Sequence, residues 1–118
     1  MITNKTIDAG REHRPSAADD MREHASDAAG LMKALGNESR LMILCMLADG
    51  ERSVSELNEI IPLSQSALSQ QLARLRRQQL VTTRRESQTI FYSLADGPVD
   101  RVINLLHDLY CGTNTCKG

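Results

Sequence analysis

The run SVSELNEIIPLSQSALSQQLARLRR, Ser53 to Arg77, holds two helical patterns with a proline between them. Ser53 and Glu56 form an S-x-x-E capping box, and Val54, Leu57, Ile60 and Ile61 supply the inner face of the helix it starts. Pro62 ends that helix, because proline has no N–H to donate and its ring clashes with the preceding turn. Ser64 is the natural N-cap of the second helix, with Leu63 and Leu68 at the positions that staple an N-terminus. Only Pro62 and Leu63 separate the two elements, so they must turn sharply on one another, and few folds accommodate that.

The second helix carries two faces. Leu68, Leu72 and Leu75 form a stripe for burial, while Gln65, Ser66, Ser69, Gln70 and Ala73 lie opposite, with arginines at the far end. Short polar side chains stabilise an exposed helix face poorly, so they call for another reason. The β-branched and aromatic runs LVTTRR and TIFYSL follow, separated by Glu86, Ser87 and Gln88, which predicts a hairpin with a charged tip. From Ser64 to Tyr92 there are five arginines (74, 76, 77, 84 and 85) against one acid, Glu86, a local charge of +4 in a chain of net charge -1. Such a contrast points to a dedicated anionic partner.

Helix, short turn, helix and basic hairpin together make a winged helix-turn-helix, mainly α with a β-hairpin wing. The second helix is expected to enter the major groove of double-stranded DNA. The residues expected there are Gln65, Ser66, Ser69, Gln70, Arg74 and Arg77. Ser64 offers the N–H groups of a helix start to a phosphate, and Arg84 and Arg85 on the wing grip the flanking backbone. The competing reading is a three-helix interaction module whose arginines are merely solvated.

The remaining segments complete a body of about five helices. Residues 1–18 are polar and without apolar period, and are expected to be a disordered arm. From Asp20, Ala25, Ala28, Met32 and Leu35 space a helix that packs on one side. Asn37 caps the next, with Glu38 in its favourable first turn and Gly50 as its stop. Its stretch from Leu41 to Ala48 is apolar all round, so a central buried helix is expected. Asp96, Gly97 and Pro98 open a last helix whose strip is Val99, Val102, Ile103, Leu106, Leu109 and Tyr110. The domain is thus residues 19–112, followed by a flexible tail, 113–118. A chain of 118 residues and 13.1 kDa has a small core, so this strip is best buried against a twin. The homodimer would read a palindromic operator, its two recognition helices about one helical turn apart. Packing within its own subunit is the plainer alternative.

The strings LMKALGNESRLMILCML, SVSELN, LSQSALSQQLARLRRQQLV and TIFYSL resemble the ArsR/SmtB family, dimeric winged-helix transcriptional regulators of bacteria. The resemblance covers residues from about 20 to 111 in order and spacing. ILCML and the terminal LYC look most like the reactive-sulfur-sensing subgroup typified by HlyU, BigR and SqrR. Gln79 departs from the glycine that relatives often carry at the helix end.

Metal sites of the family do not map onto this chain. The helix before the recognition helix lacks a C-x-C pair, and Asp100 and His107 supply only half of a last-helix zinc site, so no metal and no cofactor are expected. His13, His24 and His107 read as solvated or surface residues. Three cysteines, at 45, 111 and 116, are an odd count; the polar start is not expected to be a secretory signal, no membrane span is expected, and in the cytoplasm where the chain is expected no disulfide framework is expected either. Cys45 by itself reads as a small buried hydrophobe, and Cys111 lies where the apolar strip of the last helix does not need it. The resemblance implies more: Cys45 and Cys111 match the two cysteines that such regulators join through persulfides or polysulfides to lower DNA affinity. Two alternatives stay open. One is an arsenite or antimonite site from Cys45, Cys111 and Cys116; the other is a thiol-independent regulator that displaces a silencer. No catalytic set of residues converges, so an enzyme is not expected.

Overall fold

A computed structural model describes residues 16–112 of the chain. The chain divides into two compact units, Met1–Gly30 and Leu31–Gly118. In the first, helix α1 spans Ala17–Arg22. Ser16 starts it through a reciprocal capping box: Ser16 Oγ accepts the Asp19 N–H at 3.1 Å, and Asp19 Oδ2 accepts the Ser16 N–H at 3.5 Å. The helix expected from Asp20 therefore begins at Ala17 and breaks at Glu23 and His24. Helix α2, Ala25–Leu35, follows. The first fifteen positions of the expected arm, and the expected tail with Cys116, lie outside the described residues.

The second unit is organised around helix α3, Glu38–Ala48, which Asn37 caps by accepting the Arg40 N–H at 3.0 Å. Ile43, Leu44 and Leu47 are buried, but the helix is not apolar to the core all round: Met42 is 42% exposed and Ala48 faces out. Strand β1 is only Arg52–Ser53. The expected box at Ser53 and Glu56 then opens helix α4, Val54–Ile60, with N–H to oxygen distances of 3.2 and 2.8 Å. Leu57 and Ile61 are buried and Val54 is partly so, whereas Ile60 is 63% exposed and does not belong to the inner face. Residues 54, 57 and 61 already fill one helical stripe, and 60 falls off its edge.

Asn58 closes the turn by donating from Nδ2 to the Leu63 carbonyl at 2.8 Å. Helix α5, Gln65–Arg77, starts at Ser64, whose Oγ accepts the Ala67 N–H at 3.1 Å, and it buries Leu68, Leu72 and Leu75 completely. It ends in a left-handed residue, Gln79 (φ 62°), with Leu80 N–H donating to the Leu75 carbonyl and Gln79 N–H to the Arg76 carbonyl. That pair of bonds is a Schellman ending, which glycine adopts without strain and glutamine does not. Gln79→Gly is accordingly expected to stabilise the fold by about 0.5–1 kcal/mol, measurable as a rise of a few degrees in Tm.

Strands β2, Val81–Glu86, and β3, Thr89–Leu94, form the hairpin, with Glu86 opposite Thr89 and only Ser87 and Gln88 between. The sheet has three strands, ordered β1-β3-β2 and antiparallel, because Arg52 and Ser53 pair with Tyr92 and Phe91. Helix α6, Pro98–Tyr110, begins after Gly97 (φ 116°) and packs on α3. With α1 the described helices number six, one more than expected, since the predicted first helix is two.

Candidate nucleic-acid interface and thiol pair

Helix α5 presents one face to the core and the other to solvent. Gln65, Ser66, Ser69, Gln70, Arg74 and Arg77 are all exposed, as is Ser64 at its start. Gln70, Gln71, Ala73, Arg74 and Arg77 line a shallow groove of about 360 Å³. The Ser64 hydroxyl satisfies one of the first-turn N–H groups, leaving the other donors of that turn at an exposed helix end. The arrangement offers hydrogen-bonding side chains from one rigid rod, with three arginines in its last turn.

The two wing arginines differ. Arg84 is engaged: Nε and Nη2 donate to the two carboxylate oxygens of Glu51 at 2.9 and 2.8 Å, and Nη1 reaches Glu86 at 3.3 Å. Its guanidinium also lies 4.8 Å from the centroid of the Phe91 ring, its cross-strand neighbour. The Glu51 hydrogen bonds push the Arg84 pKa up and hold the Glu51 carboxyl below its usual value. Arg85 is exposed and makes no ion pair among the described residues. Arg84 thus has its charge offset by a residue 33 positions away, and the charge of Arg85 is not offset by an ion pair among the described residues.

Arg52 extends the basic wing from β1, and its Nε is buried without a hydrogen-bond partner among the described residues. Sequence reading passed over Arg52, Glu51 and Arg40. A two-residue strand has no periodicity to detect, and the Glu51 pairing is non-local.

The apolar strip of α6 divides. Val99 and Ile103 belong to the subunit's own core, so they are not available as interface residues in the way expected of the whole strip. Val102 and Leu106 are half-buried. Leu109 and Tyr110 are 67% and 81% exposed, and Leu105, which the expected strip omitted, faces out with them.

Cys45 and Cys111 are both free thiols and both half-buried. Cys45 packs against the core cluster from α3, and Cys111 is the C-cap of α6, its N–H donating to the His107 carbonyl at 2.7 Å. Burial pushes the Cys45 thiol pKa up, and the Asp49 carboxylate and then the Cys111 thiol add to that push. Among the described residues no group of three His, Cys, Asp or Glu converges as a metal site, and no helix is long and apolar enough to cross a membrane.

Residues 37–83 match the family described as "Bacterial regulatory protein, arsR family". The chain is 53% identical over 100 residues to "Transcriptional activator HlyU" of Vibrio cholerae, spanning 85% of this chain and 93% of that protein. It is 38% identical over 110 residues to "Biofilm growth-associated repressor" of Xylella fastidiosa, spanning 93% and 95%. Both relatives are named as regulators of transcription, not as enzymes. The fold superposes on the structure of HlyU from Vibrio cholerae with a TM-score of 0.74 at 56% identity, covering 77% of this chain and 99% of that one. BigR from Xylella fastidiosa gives 0.74 at 40% identity, covering 81% and 98%.

Proposed function

The chain belongs to the arsR family of bacterial transcriptional regulators, and on that premise we propose that it is a homodimeric operator-binding protein whose DNA affinity falls when Cys45 and Cys111 are joined through sulfur. The observation that carries the sensing half is the pair of free thiols on packed helices, one on α3 and one at the C-cap of α6. A direct disulfide needs Cα atoms about 4.4–6.8 Å apart, and each inserted sulfur adds about 2 Å of reach, so a sulfur chain bridges thiols that peroxide would leave apart.

The chemistry balances with an inorganic polysulfide as oxidant. The Cys111 thiolate attacks an internal sulfur and expels a shorter hydropolysulfide, keeping the rest of the chain. The Cys45 thiolate attacks that chain one atom from its end and expels hydrosulfide. Both cysteine sulfurs are oxidised, the expelled sulfurs carry away the two electrons, and the two thiol protons pass to solvent. Burial pushes the Cys45 thiol pKa up and lowers its thiolate fraction, and we assign it the second step. The bridge ties α3 to α6 and changes the spacing of two recognition helices that must dock together.

Mass spectrometry of the reduced protein after polysulfide, hydrogen peroxide or arsenite tests this. A gain of whole sulfur atoms linking the Cys45 and Cys111 peptides is expected from polysulfide. Stoichiometric arsenite binding that requires Cys116 would replace the reading with a metalloid sensor. The names of the relatives include an activator and a repressor, so either sign of output fits the family.

On the DNA side, Gln70→Ala is expected to weaken a selected operator more than random duplex, because its exposed amide faces out from mid-helix. Arg85→Ala should weaken both alike and lower the slope of log affinity against log salt by about one. Arg84→Ala should do less, its charge being offset by Glu51. Titrations at several salt concentrations separate the three.

A further inference from the structure

Arg40 is a buried cation with no carboxylate partner among the described residues. It is 7% exposed, the one charged residue among the buried ones described, and none of the ion pairs of the described residues includes it. It stands in the first turn of α3, where the helix dipole disfavours a positive charge. An apolar side chain would fill this place without the desolvation cost, so the charge must serve its hydrogen bonds.

Those bonds point in two directions. Nε donates to the Ala34 carbonyl at 3.0 Å and Nη2 to the Lys33 carbonyl at 3.1 Å. Both belong to the last turn of α2, whose carbonyls form the negative end of its dipole; the Lys33 carbonyl also accepts the Gly36 N–H at 3.2 Å. The third arm, Nη1, donates to Gln71 Oε1 at 3.4 Å, in the middle of α5. Gln71 is half-buried and sits in the groove lining beside Gln70 and Arg74. Arg74 is also close enough to lower the Arg40 pKa, second to burial itself. A planar guanidinium fork fixes direction as well as distance, so these bonds hold the end of α2 and the middle of α5 at one angle.

We propose that Arg40, acting through Gln71, is a positioning residue for operator selection, setting the angle at which α5 is presented and transmitting to it any displacement of the end of α2. The inference rests on α5 being the DNA-reading helix. Arg40 itself is too buried to touch DNA.

The test uses the full chain and a duplex of roughly 30 base pairs that the unmodified protein selects from a random pool, against a shuffled duplex of equal length. Arg40→Lys keeps the charge and removes the fork, and Gln71→Leu removes the acceptor alone. Each is expected to lower affinity for the selected duplex about 10-fold while leaving the shuffled duplex within about 2-fold, and the double variant should be no weaker than the weaker single one. A merely structural role would leave the ratio of the two affinities unchanged, and that result in both variants overturns the proposal. Losses that add in the double variant also overturn it, because Gln71 would then be touching DNA independently. Should Arg40→Lys fail to fold, the Gln71→Leu ratio decides, together with a repeat selection that must return a broader consensus. If the unmodified protein enriches no duplex, the DNA-reading assignment fails and this inference with it; enrichment with an unchanged ratio sinks the inference alone.

Discussion

Replacing Leu105 and Leu109 together by glutamate is expected to yield a folded monomer that has lost its operator. Both leucines point away from the core, with Tyr110 beside them in the last turn of α6, while Val99 and Ile103 on the other side hold the helix to its own subunit. The substitution therefore touches no buried packing. Covering a leucine side chain contributes about 2 kcal/mol, and a two-fold interface counts each position twice. Glutamates would remove that contribution and set like charges against one another. A monomer engages one half-site at a time and loses the effective concentration of the second, so operator affinity should fall about 100-fold or more. Light scattering behind size-exclusion chromatography, circular dichroism and anisotropy titration read the three parts of the result. A variant that stays dimeric at micromolar concentration would remove α6 from the interface.

The division of α6 into two faces shows where sequence reading reaches its limit. Caps were legible because their chemistry is local: Asn37, Ser53 with Glu56, Ser64 and Pro98 start their helices where the sequence places them. The box at Ser16 and Asp19 is equally local and was overlooked because polar composition suggested an arm. The leucine stripe of α5 was legible, since three positions at helical spacing admit one inner face. Along α6 apolar residues occupy both the inner and outer stripes, and periodicity cannot say which one the subunit's own core takes. Arg40 and Glu51 were invisible for a different reason. Their partners, Gln71 and Arg84, are 31 and 33 positions away, and nothing in a composition pattern forecasts such pairs. Of the candidate DNA face, the α5 residues were readable, while the inequality of Arg84 and Arg85 depends on a tertiary ion pair.

Cys111→Ser should abolish the response to polysulfide while leaving reduced-state operator affinity within about 2-fold. Cys111 is the C-cap of α6, and a serine hydroxyl fits the same half-buried space, so dimer and recognition helices keep their resting geometry. Without the first nucleophile no sulfur chain is loaded, and a loss of operator affinity on bridging that allosteric couplings put at about 5–150-fold disappears. Cys45→Ser should behave differently, retaining added sulfur on Cys111 as a linear persulfide but not closing the bridge. The pH dependence follows from the raised pKa of Cys45. The folded state favours its neutral thiol, so that stabilisation is complete below the ordinary thiol pKa and is lost as pH rises through the folded value. At neutral pH the thiolate is a minor species, and bridge closure should accelerate about tenfold per pH unit from 6 to 8, continuing past the range where an ordinary thiol levels off. Stopped mass spectrometry of the persulfide intermediate and of the closed bridge measures the two steps separately. Closure that is flat with pH would assign the second attack to another group, and retention of the polysulfide response in Cys111→Ser would end the case for the pair.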